Sequence, residues 1–128
     1  MSLTPYKLKV SEVSVIRERL AEEQGGRCAI CQLPLSKPVL DHCHHTGAVR
    51  ATLHNGCNAL LGKLENNYKR YGVINVAAFL AGTAAYLQKH QTNRTGYLHP
   101  TFKNPEEKRL VANAKARKRR ADAKANSG

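Results

Sequence analysis

The sequence predicts an α+β protein, mainly helical, organised around one short β-hairpin. Three observations carry this. Apolar residues recur at helical spacing in several segments, two extended runs near the middle flank a glycine-bearing turn, and Cys and His pairs bracket those runs. A chain of 128 residues has the size of one domain with room for a tail.

In "SEVSVIRERLAEEQGG", Val13, Ile16 and Leu20 stand at helical spacing, with Ser11 as N-cap and Gly25-Gly26 as the stop. This predicts a helix of about four turns. "RCAICQLPL" follows as a tight Cys-x-x-Cys turn, and Pro34 and Pro38 argue against helix until "VLDH". "VLDH" and "VRATL" are short extended runs joined through "CHHTGA", where Gly47 suits the turn of a hairpin. Leu60, Leu61 and Leu64 in "NGCNALLGKLENNYKRYG" predict a second helix. A third covers "VINVAAFLAGTAAYLQKH", with Val76, Phe79, Leu80, Thr83 and Leu87 on one face and Ala77, Ala78, Ala81 and Ala85 on another. A stripe that wide predicts burial on two sides, either as a central core helix or as a helix that forms a dimer.

"QTNRTGYLHPTFKNPEE" reads as a linker. From Asn104, an N-cap followed by Pro105 and two glutamates, "PEEKRLVANAKARKRRADAKA" has the pattern of a helix with almost no large apolar side chains to bury. Two readings stand for it, a solvated or disordered tail and a segment that orders on nucleic acid.

Lys and Arg number 21 against 9 Asp and Glu, a formal charge of +12, which points to a polyanionic partner. Nine basic residues from Lys103 onward against three acids leave +6, so the tail holds half of the excess. No apolar stretch reaches ~18 residues and no basic region followed by an apolar one opens the chain. The sequence therefore predicts a cytoplasmic protein without a membrane span, and metal ligation in place of disulfides for its four cysteines.

Zinc prefers four Cys or His ligands in a tetrahedron, and two ligands separated by two residues bind one ion from a single turn. Cys28 and Cys31 form one such pair, and His54 and Cys57 in "HNGC" form a second, with 22 residues between Cys31 and His54. That separation is close to zinc-ribbon spacing and predicts a structural Zn²⁺ site. Cys43 is the alternative fourth ligand. It lies mid-hairpin with no partner at the same spacing, so His54 is preferred.

With zinc satisfied there, "LDHCHHTG" still holds Asp41, His42, His44 and His45, and Asn58 follows the second pair. Strand alternation sends Asp41, Cys43 and His45 to one face and His42 and His44 to the other. A carboxylate and an amide oxygen are hard ligands suited to Mg²⁺ or another divalent cation, and a neighbouring histidine can act as base. Phosphodiester hydrolysis requires that set: a cation on the scissile phosphate and leaving oxygen, and a base for the attacking water.

The combined pattern "C-x-x-C … LDHCHHTGAVR … H-x-x-CNALLG", followed by an alanine-rich helix ending "AAYL", resembles the recombination endonuclease VII group of HNH nucleases, found mainly in phages. The resemblance spans roughly residues 20–90. It implies a zinc-stapled ββα-metal (HNH/His-Me finger) core in a nuclease domain over 1–98, with 99–128 as a basic C-terminal extension, helical or disordered. Within that core the family implies that Asp41 and Asn58 hold the catalytic divalent ion, His42 activates water, His44 contacts the scissile phosphate and Arg50 assists there. The second zinc pair of the family is usually two cysteines, so His54 is a departure, and Cys43 stands where an acid is common. His45 matches no family role and reads as a turn residue.

The activity implied is metal-dependent DNA cleavage in the cytoplasm, that of a bacterial host if the protein is phage-encoded, with branched or recombination DNA following from the family alone. Lys108, Arg109, Lys115, Arg117, Lys118, Arg119 and Arg120 would grip phosphates from the tail. The same core serves homing and nicking enzymes, which makes such an enzyme the nearest alternative. A zinc-ribbon nucleic-acid-binding regulator without chemistry is the alternative of another class. Asp41 and Asn58 argue against it, since neither zinc nor phosphate contact needs them. A homodimer is favoured because symmetric cutting of two strands needs two active sites.

Overall fold

In the computed structural model, which describes residues 4–127, the hairpin forms where the apolar alternation places it. Strand β1 (Pro38–His42) pairs antiparallel with β2 (Val49–His54), and Gly47, at φ 75°, takes the left-handed conformation that lets the turn close. The register runs from Pro38 opposite His54 to Asp41 opposite Ala51 and then slips, so that His42 faces Val49. Arg50 is the extra residue of this bulge, and a bulge re-aims the side chain it carries.

Helices α1 (Val13–Glu23) and α2 (Asn55–Asn67) both pack against the two strands. With α3 (Val76–Lys89) and α4 (Pro105–Asn126) they make up, among the described residues, an α+β arrangement of four α-helices and one two-stranded sheet. Among the described residues only Cys28, Leu53, Thr52 and Asp41 are buried. Half of this small core is polar, so its hydrogen bonds matter more than its area.

Gln24 supplies several of them. Its side-chain amide accepts from the Thr52 N–H at 2.9 Å and donates to the Thr52 carbonyl at 2.8 Å, doing for one backbone position on the outer edge of β2 what a third strand would do. The Thr52 hydroxyl donates to the Arg17 carbonyl at 2.7 Å, tying the same strand to α1.

Two expectations are corrected. Ser11 is not the N-cap of α1: it lies inside a 3₁₀ turn (Val10–Glu12) that leads into the helix, and the Glu12 carboxylate reaches back to accept from the Lys9 N–H and the Tyr6 hydroxyl, each at 2.9 Å. Nor is α3 a core helix, because none of its residues is buried, and Phe79 and Leu87 are 44% and 60% exposed. The reason is physical: α1, α2 and the hairpin close around Leu53 and Thr52 without it, and an apolar stripe reports a need for cover without saying what provides it.

The chain divides into two compact units, Met1–Ala84 and Ala85–Gly128. The second includes α4, whose start matches expectation. Asn104 accepts from the Glu107 N–H at 2.8 Å, Pro105 fills the first turn, and Glu106 and Glu107 sit where the helix dipole favours acids.

Candidate active site and metal centre

After α1 the chain turns through Gly25 and Gly26, both at positive φ, and folds into a knuckle closed by Cys28 N–H to Leu33 O (2.9 Å) and Gln32 N–H to Cys28 O (3.0 Å). Across from it, β2 runs straight into α2, with His54 as the N-cap residue and Cys57 in the first turn. The ligand atoms of Cys28, Cys31, His54 and Cys57 all lie within 4.8 Å of one another. His54 Nε2 donates to the Pro34 carbonyl at 2.8 Å, which leaves Nδ1 as the lone pair facing the sulfurs, 3.1 Å from Cys31 Sγ.

The electrostatics suit a cation. Burial raises the Cys28 thiol, but the N–H groups of Cys31, His54 and Ile30 outweigh it and bring it down to about 6, so a thiolate stands there at neutral pH. Burial and the sulfurs of Cys31 and Cys28 then push Cys57 up to about 11, while the Pro34 carbonyl and Cys31 raise His54. Three sulfurs and one imidazole nitrogen converging this closely could hold a structural zinc ion.

Cys43 is absent from this quartet. Its N–H donates to Ala48 O at 2.9 Å and its carbonyl accepts from Gly47 N–H at 2.7 Å, closing the hairpin turn, and Thr46 draws its thiol below the usual range.

Near the turn a second cluster forms from harder groups. Asp41, only 6% exposed, is held bidentately by the bulged Arg50, Nε to Oδ2 at 2.6 Å and Nη2 to Oδ1 at 3.0 Å. The same guanidinium grips Glu65 of α2, Nη1 to Oε2 and Nη2 to Oε1, each at 3.0 Å. Arg50 is thereby held firmly protonated, by Glu65 first and Asp41 second, and its guanidinium keeps the Glu65 carboxyl below the usual carboxylate range.

His42 and His44 are exposed and their rings stack with centroids 4.8 Å apart and 7° between planes. The face assignment from alternation holds where the strand lasts, with Asp41 buried and His42 exposed. His44 and His45 lie in the turn. Asn58 sits half-buried in the first turn of α2, directly after Cys57, while the Asp41 oxygens are engaged by Arg50. A groove of about 730 Å³ between Pro5–Leu8, α1 and the hairpin brings His42 and Arg50 to its lining, and a small polar cleft lies among His44, His45, Gly62, Glu65 and Asn66.

Glu65 was not singled out in the sequence. Its signal was its place seven residues after Asn58, two turns along the same side of α2.

These features sit inside the stretch that a family model recognises, since residues 5–89 match recombination endonuclease VII. The chain belongs to the recombination endonuclease VII family. Membership makes the hairpin, α1, α2 and α3 parts of a nuclease domain, with DNA as the substrate class of the family. In this family member no described helix is long and apolar enough to cross a membrane.

Proposed function

We propose that the protein is a metal-dependent DNA endonuclease of the HNH type, its ββα-metal core formed by β1, β2 and α2 and stapled by zinc on Cys28, Cys31, His54 and Cys57. The observation that carries this reading is the adjacent pair on β1, a buried Asp41 and an exposed His42, beside a helix anchored at its first turn to the cysteine cluster. A buried carboxylate whose partner is a side-chain cation suits a hard cation equally well, and Asn58 adds an amide oxygen of the right class.

In this mechanism Asp41 and Asn58 hold Mg²⁺ or a similar divalent ion, which when bound supplies positive charge at the scissile phosphate and leaving oxygen. His42 takes the proton from the attacking water, and its exposure leaves it reachable by both water and DNA. His44, stacked on it, limits the freedom of the His42 ring and offers its own N–H to the phosphate. Arg50 contacts the phosphate at the site. Lys108, Arg109, Lys115, Arg117, Lys118, Arg119 and Arg120 of α4 bind the DNA backbone beyond it.

Branched or recombination DNA is the substrate this reading prefers, on the strength of the family. The host cytoplasm is where such a phage nuclease would meet it. A homodimer, with the uncovered apolar side of α3 as the contact, supplies the second active site that two-strand cutting needs.

The test is nicking of supercoiled plasmid by zinc-replete protein, with and without added Mg²⁺, followed by a four-way junction set against linear duplex. Divalent-dependent cutting that prefers the junction is expected. DNA binding without cutting under any divalent ion would leave a non-catalytic binding module.

A further inference from the structure

We infer that Glu65 is a positioning residue that keeps Arg50 at the active site when a divalent cation takes Asp41 from it, so that one edge of the guanidinium passes from carboxylate to scissile phosphate. The inference rests on the nuclease reading and deepens it.

A guanidinium has two edges able to bind a planar anion bidentately. Here both are in use: the Nε and Nη2 edge holds Asp41, and the Nη1 and Nη2 edge holds Glu65. While both carboxylates are bound, Arg50 has no bidentate edge for DNA. The two side chains that share it come from different elements, β1 and α2, and the bulge at Arg50 is what aims the arginine between them.

A cation at Asp41 competes for the same oxygens and repels the guanidinium as a like charge. Without a second anchor, Arg50 would swing into solvent. Glu65 supplies that anchor through two 3.0 Å hydrogen bonds, with side chains only 34% and 30% exposed, so the pair is shielded from full screening. The freed Nε and Nη2 edge then stays beside Asp41, where the reading places the phosphate. Glu65 touches neither phosphate nor cation in this scheme. It acts through Arg50.

The experiment measures Mn²⁺ affinity by electron paramagnetic resonance on the zinc-loaded full chain, alongside kcat and KM for nicking, in wild type, Arg50→Gln, Glu65→Gln and the double variant. Zinc stoichiometry reports that each is folded, and Arg50→Lys and Glu65→Asp stand in for any variant that is not. Arg50→Gln should bind Mn²⁺ roughly tenfold tighter, the scale on which directly paired groups couple, yet cut more slowly. Glu65→Gln should bind it more weakly, because Arg50 then rests wholly on Asp41, and most of that loss should vanish when Arg50 is also Gln.

Unchanged Mn²⁺ affinity in Arg50→Gln would overturn the competition. An equal loss from Glu65→Gln with and without Arg50 would make Glu65 a cation ligand and overturn its positioning role. Failure of the nuclease reading itself would look different: wild-type protein that does not cut DNA under any divalent ion, whatever the Mn²⁺ affinities show.

Discussion

At the open end of the hairpin the knuckle cysteines Cys28 and Cys31 meet His54 of β2 and Cys57 of α2, whereas near the turn Asp41 reaches α2 through Arg50 and Glu65. Both junctions gather electron-rich atoms. They differ in where the positive charge comes from. The cysteine cluster has no arginine or lysine among its members, so a thiolate at Cys28 calls for an external ion. The acidic cluster carries its own cation in Arg50 and is complete as it stands. On the proposed reading, one junction would hold the fold when loaded with an ion, while the other would exchange its partner, which is what a site that turns over requires.

Breaking the first junction should have the largest effect. Structural zinc contributes about 10–16 kcal/mol of apparent binding free energy in small domains. Four buried residues do not replace that. Chelation at neutral pH, or Cys31→Ala, should abolish cooperative melting of the hairpin and α2 in circular dichroism, whereas Cys43→Ser should keep zinc. A Cys43→Ser protein without zinc would mean that the quartet is drawn wrongly.

Substitutions at and beside the second should act on chemistry first. His42→Ala should retain zinc content, Tm and DNA affinity while the cutting rate falls by ~10²–10⁴, the usual contribution of a general base. Asp41→Ala should lose its response to added Mg²⁺. Wild-type rates in either variant would detach catalysis from this end of the hairpin.

A smaller change tests what lies between. Gln24→Ala leaves the Thr52 N–H and carbonyl without their side-chain partner and should cost roughly 1–3 kcal/mol in chemical denaturation. Both junctions lean on β2, so cutting should fall no further than the folded fraction.

The smallest effect on the cutting step is expected from α4. Removing the chain after Pro105 should flatten the dependence of log affinity on log salt by ~0.9 for each phosphate released, with the rate at saturating DNA unchanged. An equal slope with and without the tail would place the DNA contacts elsewhere.

The cysteine quartet was legible in the sequence because each half is a local pair whose spacing serves one ion, and Asn104–Pro105–Glu106–Glu107 announces α4 by local rules alone. Gly47 did the same for the turn. Gln24 and Glu65 were illegible for the opposite reason. Their partners lie 28 and 15 residues away, and no short-range rule links a glutamine at a helix end to a strand edge or a helical acid to a strand arginine. The bulge at Arg50 escaped too, since strands of five and six residues are too short for alternation to register a one-residue slip. On α3 the apolar stripe was read correctly as a pattern. What covers such a stripe is a property of neighbours, which periodicity does not encode.

No loop separates β2 from α2: His54 ends the strand and Asn55 starts the helix. Strand and helix therefore behave as one crank. Each residue of an α-helix turns about 100° around its axis, so adding or deleting one residue near this joint would rotate α2 by that angle relative to the hairpin. Cys57, Asn58 and Glu65 would leave their stations together, although none had been replaced. In the stretch from Arg50 to Asn58 the spacing therefore matters as much as the residues themselves. Changes in chain length belong instead in the exposed segment 91–104 between α3 and α4, where they move no part of the crank.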